Sequence, residues 1–390
     1  MNLIVHLPLH AAMVRLAMPQ FLPTFSTLSP SDRRIVSLLL DSGPMSRAEL
    51  ADRTGVTRPA VTQMVASLDR FGLVEEGPSR RGLRGQPARP ISIRGAAGYS
   101  GGISFSQTYL DAAIIDMTGR PIGQKRLPLT SPDPETVAKV AQTALLAIKA
   151  EASVKNMSLL GIGFAMPGDF WIGKALLAAH VYFPGFDKLD AQSFFQARFE
   201  ERIFVENDGR TCIMGERLAG VGRGHSDFML VHIGHGVGGG LFLDNRLYRG
   251  AHLNAGPLYT FFPIDQPRPS GQDLLETLRR AGFSAKDFDT LEEAGSDEAA
   301  VIAEWTTRAG TQLAPYLHHV ANVLDPEFII VGGRLPASIL SAIVEATGLP
   351  LEALENQIAG SPPVVRASSL GAEAGAIGAA SVPIFDLLHA

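Results

Sequence analysis

Two adjacent polar residues, Asn207 and Asp208, follow the apolar run 203–205 and offer the clearest candidate chemistry in the sequence. A carboxylate at the end of a strand can act as a general base that takes a proton from a hydroxyl group. The same carboxylate can accept a hydrogen bond from a ligand hydroxyl with no reaction following, or it can cap the helix predicted through residues 212–218. The residues alone leave all three roles open.

A second chemistry is suggested by the distribution of arginine. Residues 1–95 hold 12 Arg, no Lys and 7 acidic residues, whereas the remainder holds 22 basic and 32 acidic residues. The net charges are therefore +5 and −10. A basic N-terminal module on an acidic body is typical of a nucleic-acid reader joined to a sensor. A chance excess of solvated arginines is the alternative, and only the sequence pattern can separate the two.

Length and composition bound the fold. A chain of 390 residues with 46% hydrophobic and 19% charged residues predicts a core-forming protein of two to three domains. Cys212 is the single cysteine, which excludes internal disulfides and multi-cysteine metal sites and fits a reducing cytoplasm.

Residues 1–25 are apolar but lack a basic leader and a cleavage site, so we interpret them as a packing helix or arm. Met13 and Met18 are alternative translation starts, and no apolar run is long enough to span a membrane.

Three helices are predicted near the N-terminus. Residues 31–40 have helical apolar spacing that ends at Gly43-Pro44. Ser46 and Glu49 form a capping box for a second helix that stops at Gly55. Thr57 caps a third helix with one apolar face. This succession predicts a helix-turn-helix.

A basic β-wing is predicted to follow, with residues 71–74 entering a strand and residues 90–93 returning. The intervening residues 77–89 contain no acid and carry four arginines, of which three are candidate phosphate contacts, Arg80, Arg81 and Arg84. The third helix is expected to expose four polar residues to base edges or phosphates of the major groove: Thr57, Arg58, Thr62 and Gln63. Residues 84–87 resemble arms that lie in A/T-rich minor grooves.

The rest of the chain repeats one pattern. Residues 101–107, 108–116 and 121–129 read as strands, followed by a helix from Asp133-Pro134 to Glu151 and a strand over 159–166. Residues 228–234, 240–244 and 246–250, later helices and the strand 328–331 repeat that order. Two lobes of the same plan indicate an internal duplication with a ligand cleft between them.

From about residue 31 onward the chain resembles the ROK family (repressors, open reading frames and sugar kinases), in the branch with a winged helix-turn-helix. The resemblance rests on the spacing of several motifs, which are Gly161-Ile-Gly-Phe-Ala-Met-Pro-Gly168, Phe183-Pro-Gly-Phe186, Glu206-Asn-Asp208, the run 233–252, Gly332-Gly333 and 371–380. It implies an α/β fold that is actin-like (ribonuclease H-like), a duplicated two-lobed ATPase-type fold, preceded by an α+β winged helix-turn-helix domain. The implied domains are 1–95 for the arm and winged helix, 96–209 for the N-lobe and 210–390 for the C-lobe, whose final helix is a candidate to return to the N-lobe.

Departures from the family pattern indicate lost catalysis. Kinases of the family have an Asp and then Gly-Gly-Thr in the first hairpin, where this chain has residues 104–108, so side chains obstruct close approach of a phosphate. The family's zinc segment corresponds to residues 256–260, and residues 261–275 contain no cysteine or histidine. The sequence therefore predicts no zinc, no ATP and no other cofactor, with Asp208 a vestige of the catalytic base.

We therefore expect a DNA-binding transcriptional regulator, and specifically a repressor, whose kinase-like domain senses a sugar or related molecule without phosphorylating it. By the resemblance, seven residues form the effector site: Asn207, Asp208, Gly168, Tyr182, His252, Asn254 and Glu276. An active ATP-dependent carbohydrate kinase with a fused DNA-binding domain is the alternative, and a ligand-free DNA-binding scaffold is a third possibility. The expected partners are double-stranded operator DNA, a sugar-like effector and further copies in a homodimer or tetramer, in the cytoplasm.

Overall fold

The structure is a computed structural model that describes residues 28–78, 89–152, 159–293, 295–352, 358 and 360–389. The predicted N-terminal arm and the tip of the wing, with Arg80, Arg81 and Arg84, lie outside the described residues. One described segment, Gly371–Leu388, has the length and apolar composition of a membrane-crossing helix, and 72% of it is buried in the protein interior.

The N-terminal domain is a winged helix. Its elements are α1 (Pro30–Ser42), α2 (Arg47–Thr54), α3 (Arg58–Arg70) and the antiparallel strands β1 (Val74–Glu76) and β2 (Ile91–Ile93). Capping boxes at Ser29 and Ser46 fix where the first two helices begin, because each serine and the acid three residues later satisfy two free backbone N–H groups. The apolar faces of the three helices meet in one core around Ile35, Leu50 and Val61.

A five-stranded sheet forms the N-lobe, with the strand order β5-β4-β3-β6-β9. The elements are β3 (Tyr99–Phe105), β4 (Tyr109–Asp116), β5 (Pro121–Pro128), α4 (Pro134–Glu151), β6 (Ile162–Met166), the hairpin β7 (Gly168–Phe170) and β8 (Leu177–Ala179), α5 (Ala191–Gln196) and β9 (Ile203–Asn207). β3, β6 and β9 run parallel, so their carboxyl ends lie at one edge of the sheet. Ligands of open α/β sheets bind at that edge.

The C-lobe repeats this sheet with the order β12-β11-β10-β13-β14, which confirms the predicted duplication. Its elements are α6 (Asp208–Ala219), β10 (Phe228–Ile233), β11 (Val237–Leu243), β12 (Arg246–Tyr248), α7 (Gly271–Arg280), α8 (Ser296–Leu324), β13 (Phe328–Gly333), α9 (Ala337–Ala346), β14 (Val365–Ala367) and α10 (Ala374–His389). The apolar face of α8, including Ile302, Trp305 and Leu313, packs into the C-lobe core.

Two helices, α6 and α10, pack together between the sheets. α10 lies against the N-lobe strands β3 and β6, where Gly102 and Gly163 face its backbone. A Cβ atom on either glycine would lie 2.0 Å from a carbonyl oxygen of α10, so glycine is required at both positions. The same helix contacts α1 of the winged helix, and the apolar core of that domain is continuous with it.

The glycine-rich residues 237–240 belong to strand β11, whereas the sequence predicted a strand only from residue 240. The predicted start was wrong, because glycine has a low strand propensity and the sequence does not show what packs on the strand. A Cβ on Gly239 would lie 2.6 Å from the Leu230 carbonyl oxygen, and one on Gly240 would lie 2.7 Å from the Ile213 side chain of α6. Gly240 therefore lets α6 approach the sheet, and Gly239 leaves room for the backbone at Leu230 and Gly256.

Candidate functional site

A cavity of about 430 Å³ lies between the lobes, at the carboxyl ends of the parallel strands. Its walls come from the β6–β7 turn at Gly168, the end of β9, the β10–β11 hairpin and the loop at Gly256. A cavity of this size holds a ligand as large as a monosaccharide or a small derivative.

Asp208 is the first residue of α6 and lines this cavity, with its side chain 25% exposed. The cap of α6 is instead Asn207, whose side chain accepts from the Arg210 N–H at 3.1 Å and donates to the Gly168 carbonyl at 2.8 Å. Asp208 Oδ1 accepts from the Gly209 N–H at 2.9 Å, while Oδ2 lies 3.6 Å from Nε2 of His232. With Asn207 in the capping role, Oδ2 of Asp208 is placed to meet a ligand.

Three histidines, His180, His232 and His235, line the same cavity. Burial lowers the pKa of each, and lowers that of His235 to about 3, so all three rings are neutral near pH 7. Both ring nitrogens of His232 and Nε2 of His235 are buried with no hydrogen-bond partner among the described residues. A neutral imidazole offers one donor and one acceptor, so these rings can bind hydroxyl groups.

The segment 104–108, where the sequence predicts a lost phosphate loop, is held by two residues of the C-lobe. Asp287 is fully buried and accepts from Ser106 Oγ at 2.7 Å and from Thr108 Oγ1 at 2.8 Å. Arg334, which follows β13, donates to Ser104 Oγ at 2.6 Å and to the Phe105 carbonyl. The hydroxyl groups of this segment therefore bind protein groups across the two lobes.

A smaller cavity of about 170 Å³ adjoins the cleft and shares Arg268 and Ile264 with it. Tyr182 and Glu276, two of the predicted effector-site residues, line the smaller cavity. Glu276 lies 3.5 Å from the Arg280 guanidinium and accepts from Gln272 at 3.1 Å.

Of the predicted effector-site residues, three line the main cleft: Gly168, Asn207 and Asp208. Asn254 binds the backbone of Phe170, accepting at 3.0 Å and donating at 2.7 Å, and so ties the β7–β8 hairpin to the C-lobe. His252 is exposed and lies outside the lining of both cavities. Sequence reasoning missed His180 and Arg268 and did not assign His232 and His235 to the effector site. His232 lies near the end of β10 and His235 in the turn before β11, so only these two histidines shared a local signal in the sequence.

The predicted recognition helix is α3, and the four residues expected to contact DNA at this helix are exposed: Thr57, Arg58, Thr62 and Gln63. Val61, Val65 and Leu68 occupy its buried face. Thr57 is the N-cap residue by backbone geometry and makes no side-chain capping bond, so its hydroxyl stays available for another contact.

α6 joins the cleft to the winged helix. Asp208 begins the helix at the cleft, and Arg217 near its other end pairs with Asp41 of α1 at 2.5 Å. Arg217 is only 3% exposed and also donates to Asn245 at 3.2 Å. Twelve residues of α-helix span about 18 Å, so one rigid helix connects the cleft at Asp208 to the contact with α1 at Arg217.

Similarity to known proteins covers both parts of the chain. The profile of the ROK family matches residues 100–258, and that of the MarR family matches residues 26–85. The uncharacterized protein y4fQ of Sinorhizobium fredii is 38% identical over 93% of each chain. The xylose repressor of Bacillus spizizenii is 23% identical over 92% of this chain and 96% of its own.

Among solved structures, the ROK family transcriptional regulator described as a homolog of the E. coli MLC protein superposes with a TM-score of 0.63. It is 19% identical and covers 92% of this chain and 96% of its own. This likeness concerns the fold and spans both the winged helix and the two lobes.

Proposed function

This chain belongs to the ROK family and is one of its DNA-binding transcription regulators, and we propose that its kinase-like domain senses a sugar or related small molecule without phosphorylating it. The curated relative is named a xylose repressor, so we expect DNA binding by this chain to repress transcription. The effector of this chain is set by the residues of its own cleft.

The hydrogen bonding of segment 104–108 is the observation that carries the sensor proposal. A phosphate loop works through backbone N–H groups that are open to the ligand, usually between glycines. Here Ser106 and Thr108 donate to the buried carboxylate of Asp287, and Ser104 accepts from Arg334. A nucleotide phosphate at this place would have to displace a buried carboxylate and meet its negative charge, so the residues do not fit ATP.

The zinc site implied by the family does not fit either. The corresponding residues 256–260 are Gly-Pro-Leu-Tyr-Thr, and only Tyr259 and Thr260 carry polar side chains. In the part of the chain that the structure describes, no three His, Cys, Asp or Glu side chains converge to hold a metal ion. We therefore propose that folding and sensing proceed without zinc.

Asp208 is the feature that favours the alternative, a working carbohydrate kinase. Asp208 lines the cleft, with its Oδ2 3.6 Å from Nε2 of His232. A general base that takes a proton from a bound hydroxyl group would also lie in the cleft. A carboxylate in that position also accepts a hydrogen bond from a ligand hydroxyl, which needs no phosphate donor. With segment 104–108 bound to Asp287 and Arg334, we assign Asp208 to binding alone.

Operators of winged helix proteins are commonly palindromic, so we propose a homodimer, or a dimer of dimers, that places two α3 helices in successive major grooves. The proposed location is the cytoplasm, because the protein works on DNA.

Turnover with ATP tests the sensor proposal. Purified full-length protein should release no ADP above background with ATP, Mg²⁺ and a panel of monosaccharides, in a coupled assay sensitive to one turnover per hour. Asp208→Asn is the matched control, since it removes the base and keeps the side-chain shape. ADP release that the substitution abolishes would establish the kinase instead.

A further inference from the structure

Most charged groups near the cleft are balanced inside the protein. Arg210 pairs with Glu206 at 2.6 Å and lies 3.8 Å from Asp169. Arg334 donates to Ser104 and Phe105 and interacts electrostatically with several surrounding carboxylates, Asp208 and Asp287 among them. These groups have their partners before any ligand binds.

Arg268 is different. It lines both cavities and is only 5% exposed, yet no carboxylate oxygen of the described residues lies within 4.0 Å of its guanidinium. The Tyr182 hydroxyl is a hydrogen-bonding neighbour of its side chain. A neutral hydroxyl does not balance a guanidinium, and burying a cation without a counter-charge is unfavourable.

The carboxylates around the smaller cavity do not pair with the guanidinium of Arg268 in the described part of the chain. Asp273 accepts from the Trp305 indole at 2.7 Å and from Arg308, and it meets Arg268 only through the backbone N–H at 3.4 Å. Glu276 lies 3.5 Å from Arg280. Asp265 lines the smaller cavity without pairing to Arg268. The positive charge of Arg268 is therefore available to the cleft.

Hydroxyl-binding groups line the same cleft as Arg268, among them Asp208, His180 and His232. The charges of both Asp208 and Arg268 act on the pKa of His180. Both nitrogens of His232, which is 4% exposed, lack a partner in the described part of the chain, and its Nε2 is 3.6 Å from Asp208. One ligand that fills the cleft would therefore meet both hydroxyl partners and a guanidinium.

From this arrangement we propose that the cleft binds a polyhydroxylated anion, whose acid group pairs with Arg268 and whose hydroxyl groups bind Asp208 and His232. The planar fork of a guanidinium matches the two oxygens of a carboxylate or a phosphate. The inference rests on the proposed sensor function and names the class of its effector. A sugar acid and a sugar phosphate share this chemistry, and the experiment separates them.

Calorimetric titration of the purified full-length protein tests the proposal with matched sets of ligands. Each set contains a neutral sugar, its acid and its phosphate, for example glucose, glucuronate and glucose 6-phosphate, then galactose, galacturonate and galactose 6-phosphate. The tightest ligand should be an acid or a phosphate that binds at least 10-fold more tightly than its neutral counterpart. A neutral sugar that binds as tightly as its anionic forms, or a panel in which no anion binds, overturns the proposal.

Variants of Arg268 show whether the gain comes from this residue. Arg268→Gln should weaken the anion at least 10-fold more than it weakens the neutral sugar, whereas Arg268→Lys, which keeps the charge, should recover part of the loss. Arg280→Gln is the control, because Arg280 lines only the smaller cavity and its side chain is 73% exposed. Equal weakening by both glutamine variants, or unchanged anion affinity in Arg268→Gln, would contradict the assignment.

The anionic class of the effector and the sensor function can be refuted separately. Neutral sugars that bind in the cleft and change DNA affinity would refute the anionic effector and leave the sensor function standing. Phosphorylation of a bound sugar would refute the sensor function, and the calorimetric titration would still test whether Arg268 binds the anionic group.

Discussion

The ion pair between Asp41 and Arg217 is the polar link between the winged helix and the helix that begins at the cleft, and Asp41→Asn should weaken it. The substitution keeps the size of the side chain and an acceptor oxygen and removes the charge opposite a guanidinium that is 3% exposed. Breaking a fully buried pair costs about 3 to 5 kcal/mol. The side chain of Asp41 is 21% exposed, so we expect a loss of about 2 kcal/mol in the free energy of unfolding.

Urea unfolding of the full-length protein measures this loss, and a double-mutant cycle with Arg217→Gln isolates the pair. The coupling energy should be about 1 to 2 kcal/mol, since contacting residues in one ion pair do not add independently. Asp69→Asn is the matched control in the same domain. Its side chain is 64% exposed and lies 3.7 Å from Arg94, so the loss should stay below about 0.5 kcal/mol.

The same variant tests whether α6 transmits the state of the cleft. If the Asp41 to Arg217 contact carries the coupling, Asp41→Asn should bind ligand as wild type does and show a reduced change in DNA affinity. Wild-type stability together with a full DNA response to ligand would refute the role given to this contact.

The wing arginines, the metal content and the buried His235 each allow a further test. Replacing Arg80, Arg81 and Arg84 by Ala should weaken binding to all DNA and lower the slope of log affinity against log salt by up to about 3. Gln63→Ala should instead mainly relax the sequence preference. Fluorescence anisotropy at several salt concentrations measures both effects. Elemental analysis of untagged protein should find no stoichiometric zinc. One zinc ion per chain would contradict the proposal that the protein folds and senses its ligand without zinc. Burial lowers the pKa of His235 to about 3, below the value near 6.5 of an unfolded histidine, so the unfolded chain binds an extra proton between these values. The free energy of unfolding should therefore fall as pH falls through this window, by up to about 1.4 kcal/mol per pH unit, and less steeply in His235→Asn; equal slopes in the two proteins would refute this.

Local signals made the N-terminal domain predictable. The Ser46–Glu49 box, the stop at Gly55 and the apolar face of α3 are fixed by residues within a few positions of one another, and the helices begin and end close to the predicted residues. The helix predicted from Asp133-Pro134 to Glu151 is present as Pro134–Glu151, for the same reason.

The cleft was less predictable because its groups meet over long separations. Ser106 and Asp287 are 181 residues apart, and Arg334 is 230 residues from Ser104. No sequence pattern marks such pairs, although the altered residues 104–108 are the basis for predicting that the phosphate loop is lost. The choice between Asn207 and Asp208 as helix cap also needed coordinates, since both residue types cap helices well.

The most direct test of the central claim is a ligand titration of the DNA complex in wild type and Asp208→Ala. A labelled duplex selected from random DNA by the full-length protein provides the reporter, and fluorescence anisotropy gives the affinity. We expect both proteins to bind the duplex with the same affinity without ligand, and we expect ligand to change the affinity of wild type for the duplex. Asp208→Ala should need about 10- to 150-fold more ligand, which corresponds to a loss of about 1.5 to 3 kcal/mol for a hydrogen bond to a charged group. An unchanged ligand response in Asp208→Ala, or no sequence enriched from the random pool, would contradict it.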